Sequence, residues 1–563
     1  MSIPSPDSLS LMFGGEAGHG LQTLGLVLCR ALRNGGLHVF AVNEFMSRIR
    51  GGSNSLNLRI SNAPIQASSD QINCCILLDR NALPRLRGRL AKHTLLVGDP
   101  VNFADQERFS SLPLKELSKQ AGGAIYGNSI VCGYIMRLLG WDLVPLDAAI
   151  RRTFIDGEQQ EKNLGAAQIG WDFAAESEGR FSLQQGKELQ DRLLLDGSQS
   201  VALGAIAGGC NFISSYPMSP ATGVLVHLAG MAAEHGIVVE QAEDEISAIN
   251  MGLGAWYAGA RALVSTSGGG FDLMAEGLSL CGIIESPLVI HIAQRPGPGT
   301  GLPTRTEQGD LEIARYSGHG EFPRAILAPG SPEEAFECTR HAFTMADESQ
   351  SPIILLTDQY LLDSLYDLAP FPLPQEPPRP QIIATMPDYE RYAYSDNGIS
   401  PRGIPGYGEG LVCVDSDEHD TQGRITEDFA IRVAMVDKRM AKAELLSTSL
   451  AIQPRLNGPD NYRRLLVAWG STGPAISEAL DKIASADTAF LHCIQVYPLP
   501  VGVDAYLQRA ERIIVVENNA TGQFARMLRA ETGCTIADQW LKYNGLAFSV
   551  DEVIDLLQEE VNR

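Results

Sequence analysis

Residues 198–293 repeat one local pattern: a helix-length run, a glycine or polar joint, then four to six residues dense in Ile, Val, Leu and Ala. The helical runs are 198–208, 223–234, 243–257 and 271–284, and the strands between and after them are 212–215, 237–240, 262–265 and 288–293. Strands joined by helices pair in parallel, because each helix is the crossover that returns the chain to the same end of the sheet. A parallel sheet needs cover on both faces, so this stretch is constrained to a doubly wound α/β domain.

The same grammar, less regular, appears on either side. In the first 175 residues, strands are expected at 9–13, 37–42, 73–78 and 94–98, with helices over 21–34 and 128–139. Gly35-Gly36 stops the first helix, and the βαβ order implies a mostly parallel sheet. Six of the twelve residues in 369–380 are proline, a stiff extended linker. An irregular stretch follows until a helix near Thr426, expected to be capped by that residue, with Glu427 and Asp428 at its positive end. Phe429, Val433, Val436 and Met440 would form its apolar stripe. Strands at 465–469, 489–495 and 512–516, with a helix at 473–483, make a third α/β block. The fold class is therefore α/β with three doubly wound domains. The divisions are 1–180, 195–365, a proline-rich and irregular 366–460, and 461–563. A chain of 563 residues is too long for a single core.

Charge narrows the function. With 44 basic and 67 acidic residues the net charge is −23, and no basic stripe exists for a nucleic acid or an anionic membrane. No secretory signal and no membrane-length apolar run is seen, so a cytoplasmic location is expected. The ten cysteines form no CxxC pair and are scattered in apolar surroundings. They read as reduced core residues, and no metal or iron–sulfur site is expected on this chain.

Chemistry-bearing residues gather where the strands of the second block end, the edge at which open α/β sheets bind ligands. Ser215-Tyr216-Pro217-Met218-Ser219-Pro220 follows one strand; two prolines fix the loop and Ser219 offers a hydroxyl. Glu243-Asp244-Glu245 opens a helix, where carboxylates ordinarily serve the helix dipole. Ser265-Thr266-Ser267-Gly268-Gly269-Gly270 ends a third strand, and residues 294–304 leave a fourth, carrying Arg295. Near the N-terminus, Gly14-Gly15-Glu16-Ala17-Gly18-His19-Gly20 lacks the GxGxxG spacing of a dinucleotide site, and Glu44 is only a loose ribose partner. A tight structural turn is the plainer account of it.

The strings SYPMSP, QAEDEISA, STSGGGFDLMAEG and QRPGPGTGLPTRTEQGDL resemble, in order, the pyrimidine-binding domain of 2-oxoacid:ferredoxin oxidoreductase alpha subunits. The last is most like the 2-oxoglutarate type. GGEAGHG and Arg48-Ile49-Arg50-Gly51-Gly52 resemble the family's gamma domain fused at the N-terminus, and VENNATGQ resembles its transketolase-like C-terminal domain. The resemblance implies roles. Glu245 hydrogen-bonds the aminopyrimidine of thiamine diphosphate, and Tyr216, Pro217, Ser267 and Gly268 line the cofactor. Arg295 and Ser219 hold the substrate, with Thr304 facing it and Arg305 near a distal carboxylate. Ser219 stands where the family has threonine, which keeps the hydroxyl and loses a methyl.

This chain lacks GDG followed by asparagine, and it lacks clustered cysteines. The resemblance implies that Mg²⁺, the diphosphate and a [4Fe–4S] cluster lie on a separate beta subunit, in an (alpha-beta)2 heterotetramer. Reversible, coenzyme A-dependent oxidative decarboxylation of 2-oxoglutarate would pass electrons to ferredoxin. Gly18 or Arg50 would touch coenzyme A. Pyruvate and branched or aromatic 2-oxoacids stay open, as do a nicotinamide-dependent oxidoreductase and a non-catalytic scaffold subunit.

Overall fold

The computed structural model describes residues 8–46, 52–103, 109–181, 183–187, 189, 191–373, 375–376, 378 and 380–561. Arg48, Ile49, Arg50 and Gly51 of the gamma-like motif lie outside the described residues. The chain forms two compact units, one of Met1–Leu195, Asp363–Pro370 and Ser549–Arg563, the other of Asp196–Leu362 and Phe371–Phe548. Residues 363–370, read above across the end of the central block and the start of the linker, and 549–563, read with the C-terminal block, thus group with the first unit.

The first unit is built on an eight-stranded sheet. Its order is Phe109–Ser111, Leu95–Gly98, Cys74–Leu77, Ser8–Glu16, Ser53–Ser61, His38–Glu44, Ser364–Leu368 and Leu193–Asp196. The sheet is mixed rather than mostly parallel, because Ser53–Ser61 runs antiparallel to both Ser8–Glu16 and His38–Glu44. That strand was not anticipated. Its alternation was legible, since Leu56, Leu58 and Ile60 all point into the core. The strand Ser364–Leu368 contributes Asp367, whose buried carboxylate accepts from Arg192 Nε at 2.8 Å and pairs with Arg33 and His38.

The second unit holds the predicted doubly wound domain. Strands form at Phe212–Ser215, Val238–Gln241, Ala262–Thr266 and Leu288–Gln294, and helices at Gly197–Ala207, Thr222–His235 and Glu245–Tyr257. The fourth helix is broken into Gly268–Leu273 and Ala275–Ile283. The seven-stranded order is Gln495–Tyr497, Ala325–Leu327, Pro352–Asp358, Leu288–Gln294, Ala262–Thr266, Phe212–Ser215 and Val238–Gln241. All pairings are parallel except that of the edge strand Gln495–Tyr497. A second sheet in this unit has five strands, Arg455–Asn457, Thr488–Cys493, Arg464–Trp469, Arg512–Glu517 and Asp538–Leu541.

The helix after the linker, Phe429–Ser447, corrects two expectations. Its cap is Asp428, which accepts from the N–H groups of Ala430 and Ile431 at 2.8 and 3.0 Å, so Thr426 lies outside it. Its predicted apolar stripe faces outward, with Phe429 88%, Val433 60% and Met440 39% exposed. The face turned inward carries Lys438, Arg439 and Lys442. Apolar spacing was outweighed by charge pairing, since acidic partners, the buried Glu285 and the half-buried Glu418, await those cations.

Candidate functional site

The strands ending at Ser215 and Thr266 are neighbours between which chain order reverses, and the next strand outward ends at Gln294. A crevice opens at such a switch point because successive helices leave to opposite faces. Ser215 Oγ donates to the Ser265 carbonyl at 2.6 Å and ties two of these strand ends together. His291 lies within the sheet, fully buried, bonded to Ser265 Oγ and Thr357 Oγ1 at 2.9 and 2.8 Å. Burial holds it down to about 3, so it is a neutral structural residue.

Glu245 is the first residue of its helix and is 3% exposed. Its neighbour Asp244 caps the helix, accepting from Ser247 N–H at 2.7 Å, which leaves the Glu245 carboxyl unneeded for that purpose. Among the described residues, Oε1 of Glu245 is buried with no hydrogen-bond partner, and burial pushes the carboxyl above its ordinary range. A Cβ on Gly270 would lie 2.5 Å from that oxygen and 2.2 Å from Thr266 Oγ1. Only glycine fits between them. Ser267 Oγ, at the start of the same glycine turn, is likewise buried and unpartnered. Buried polar atoms are rarely left unpaired, so two at one turn mark a place built for a polar ligand. A carboxyl and a hydroxyl at the switch point fit the donor and acceptor edge of an aminopyrimidine ring.

Arg295 reaches the SYPMSP loop, where Nη1 donates to the Ser219 carbonyl at 2.7 Å. The structure therefore brings Arg295 and Ser219 together, through the backbone of Ser219. Tyr216 is exposed, Pro217 half-buried, and Thr304 and Arg305 are half-buried on the loop beyond Arg295. Gly268 packs against a residue to which no role was assigned, Asp310: a Cβ there would meet both carboxyl oxygens at 2.4 Å. Oδ2 of Asp310 is a third buried, unpartnered oxygen at the glycine turn. Burial, then the charges of Glu307 and Asp272, push the Asp310 carboxyl up to about 7 against the pull of Arg295. Asp310 stands in QRPGPGTGLPTRTEQGDL, yet an aspartate at a helix start reads as a cap, and only its neighbours reveal otherwise.

The raised Asp310 carboxyl has a measurable consequence. Between about pH 4 and pH 7 the folded chain binds a proton that the unfolded chain releases, so this group's stabilisation falls as pH rises through that window. In thermal melts, Asp310→Asn is expected to gain on the parent chain across this range, with the full difference above about pH 7 and little below about pH 4. Parallel curves across the range would exclude the assignment.

In the first unit, Gly18 and Gly20 have positive φ, +98° and +69°, and Gly20 leads into the helix Leu21–Asn34. The turn borders a cleft of about 1330 Å³ whose lining includes His19, Asn128, Lys115, Lys119 and Lys162. Among the described residues, no cluster of three or more His, Cys, Asp or Glu is placed to hold a metal ion. No helix among them is long and apolar enough to cross a membrane.

Residues 203–438 match the family model "Pyruvate flavodoxin/ferredoxin oxidoreductase, thiamine diP-bdg", and residues 10–173 match "Pyruvate ferredoxin/flavodoxin oxidoreductase". The chain is 30% identical over 615 residues to a 2-oxoacid:ferredoxin oxidoreductase subunit alpha of Sulfolobus sp, covering 98% of this chain and 96% of the relative. It is 30% identical over 371 residues to the 2-oxoglutarate synthase subunit KorA of Archaeoglobus fulgidus, covering 65% of this chain and 99% of the relative. Among solved structures, the 2-oxoglutarate:ferredoxin oxidoreductase from Magnetococcus marinus with 2-oxoglutarate, coenzyme A and succinyl-CoA bound superposes with a TM-score of 0.92. That match has 26% identity and covers 99% of this chain and 100% of the other.

Proposed function

Because the chain belongs to the 2-oxoacid:ferredoxin oxidoreductase alpha-subunit family and carries its thiamine-diphosphate-binding domain, we propose that it serves the oxidative decarboxylation of 2-oxoglutarate. The observation that carries this reading is the buried Glu245 carboxyl, with Oε1 unpartnered against the Gly270 turn. When bound, thiamine diphosphate supplies the carbon nucleophile that 2-oxoacid decarboxylation requires. Glu245 holds and returns a proton at Oε1 toward the aminopyrimidine ring, a task suited to a carboxyl raised by burial. Ser267 Oγ supplies a second polar contact, and Tyr216, Pro217 and Gly268 line the ring. Arg295, steadied by the Ser219 carbonyl, presents a planar fork to the substrate's carboxylate beside the 2-oxo carbon. Ser219 and Thr304 offer hydroxyls to the substrate, and Arg305 is the candidate for a distal carboxylate.

The 2-oxoglutarate preference rests on the relatives named for that substrate and on the structure solved with it bound. A separate beta subunit would hold Mg²⁺, the diphosphate and the [4Fe–4S] cluster and pass electrons to ferredoxin. This chain has neither GDG followed by asparagine nor clustered cysteines for those tasks. The outward apolar faces at Phe429, Val433 and Met440 leave surface for a partner chain, and an (alpha-beta)2 assembly in the cytoplasm fits this reading. Coenzyme A is assigned to the N-terminal cleft, where Lys115 and Lys119 offer charge to phosphates, Lys162 pairs with Glu158, and Gly18 opens the backbone.

The deciding experiment assays the complex co-purified from cells against 2-oxoglutarate, pyruvate, and branched and aromatic 2-oxoacids, with a viologen as acceptor. The highest kcat/KM is expected for 2-oxoglutarate, and a preference for another acid would overturn that substrate. In the same assay Arg295→Ala is expected to raise KM by an amount equivalent to about 2–5 kcal/mol, the usual effect of truncating one side of a charge-assisted pair. An unchanged KM would remove Arg295 from the substrate site.

A further inference from the structure

The five-stranded sheet of the second unit has a switch point of its own. Its central strand Arg464–Trp469 is followed in the chain by a neighbour on one side, Thr488–Cys493, and then by one on the other side, Arg512–Glu517. The crevice between the carboxyl ends of Arg464–Trp469 and Arg512–Glu517 is where a sheet of this kind would take a ligand. Here it is filled by the chain itself. Gln308, fully buried, inserts from the loop that begins at Arg295.

Every polar atom of Gln308 is engaged there. Its N–H donates to the Asn518 carbonyl at 2.7 Å, and its Nε2 donates to the Trp469 carbonyl at 2.8 Å. Its Oε1 accepts from Thr472 Oγ1 at 3.0 Å and from Asn518 N–H at 2.8 Å, and its carbonyl accepts from Asn519 Nδ2 at 3.1 Å. Gly470, at φ +60°, makes room for it, since a Cβ would stand 2.7 Å from Nε2. The flanks are held too. Gln523 Nε2 donates to the Gly309 carbonyl at 2.7 Å, and Thr306 Oγ1 accepts from Tyr360 N–H at 3.3 Å. Asp310 N–H donates to Gln294 Oε1 at 3.0 Å, which closes the base of the loop beside Arg295.

We propose that this C-terminal sheet is a clamp for the substrate loop, and that Gln308 is the positioning residue through which it holds Arg295, Thr304 and Arg305 in place. The inference rests on the reading of Arg295 as the substrate-carboxylate residue. Thr472 of the GST turn and Asn518 and Asn519 of the ENN turn thereby share a task, the satisfaction of one buried glutamine. Side-chain networks that are fully satisfied impose one geometry, and a displacement of about 1 Å at a substrate-holding loop is worth up to about 100-fold in rate.

The test uses the assembled enzyme carrying Gln308→Ala, Thr472→Val or Asn519→Ala, with Arg295→Ala as a control. The expected result for Gln308→Ala is a 2-oxoacid KM raised about 10- to 100-fold, with the thiamine diphosphate concentration for half-activation changed by less than about twofold. Hydrogen exchange should quicken at residues 296–310 and not at the Glu245 helix. General damage to the fold would instead move both constants together, and that outcome overturns the clamp. Should Gln308→Ala not fold, Thr472→Val removes one bond to Gln308, and Asn519→Ala removes one to Gln308 along with those to Glu517, Thr521 and Gly522; both must shift KM in the same direction, and a parental KM in both overturns the clamp. A parental KM in Arg295→Ala would mean that the substrate-site reading itself has failed. A raised KM in Arg295→Ala beside a parental KM in Gln308→Ala defeats the clamp alone.

Discussion

Glu245→Gln is expected to lower 2-oxoacid turnover of the assembled enzyme by about 10²–10⁴-fold, the range associated with losing a positioned acid–base group. Glutamine keeps the length and polarity of the side chain, so packing against Gly270 and Thr266 survives. What it removes is a proton that can be held and given back at Oε1. Among the described residues Glu245 has no ion-pair partner to lose, and Asp244 provides the helix cap, so stability should change little or rise as a buried carboxylate is neutralised. The informative pattern is thus an enzyme that melts like its parent and hardly turns over. Turnover within about threefold of the parent would end the acid–base assignment. It would also revive the scaffold alternative for this subunit.

The second large effect is on stability. Glu285, 1% exposed, binds Lys438 Nζ with both carboxyl oxygens at 2.9 and 2.7 Å and also pairs with Lys442. Its own carbonyl accepts from Arg391 Nη2 at 2.7 Å. Burial opposes the charge on Glu285, yet Lys442, Lys438 and Arg391 outweigh it and hold the carboxyl down to about 2. Glu285→Gln strands two buried ammonium groups, and a loss of about 3–5 kcal/mol is expected in thermal or urea unfolding. Because the folded pKa lies below the unfolded one, this stabilisation is present above about pH 4 and fades as pH falls toward about 2. A combined Glu285→Leu, Lys438→Met, Lys442→Met chain should recover part of the loss, since it leaves no ammonium group stranded and Arg391 keeps its bonds to Gln350 and to the backbone carbonyl at 285. If Glu285→Gln melts with the parent, the helix Phe429–Ser447 is not anchored by this cluster.

The same helix shows why parts of the fold escaped a reading by pattern. Phe429, Val433, Val436 and Met440 have the spacing of a core-facing stripe, but they fall on the face away from Glu285. Periodicity reports which residues share a face and not which face is buried. In the first unit the alternation of Leu56, Leu58 and Ile60 was present but lay between polar residues that resembled a loop. The strand Ser364–Leu368 could not be assigned to that sheet from sequence order, because Asp196–Leu362 of the second unit separates it from the rest of its sheet in the chain.

The order of elements over 198–293, the parallel sheet they form and the four strand-end motifs were determined by the sequence alone. Local hydrophobic period and glycine joints decide those features within a few residues of where they occur. The family resemblance pointed to Glu245 and Arg295 as the residues to test. Only the tertiary structure decided that Asp310 lies against Gly268, that Gln308 fills the crevice of a sheet more than 150 residues later, and that Lys438 and Lys442 are buried. Those contacts depend on desolvation and on satisfying buried polar atoms, quantities fixed by what surrounds a residue in space.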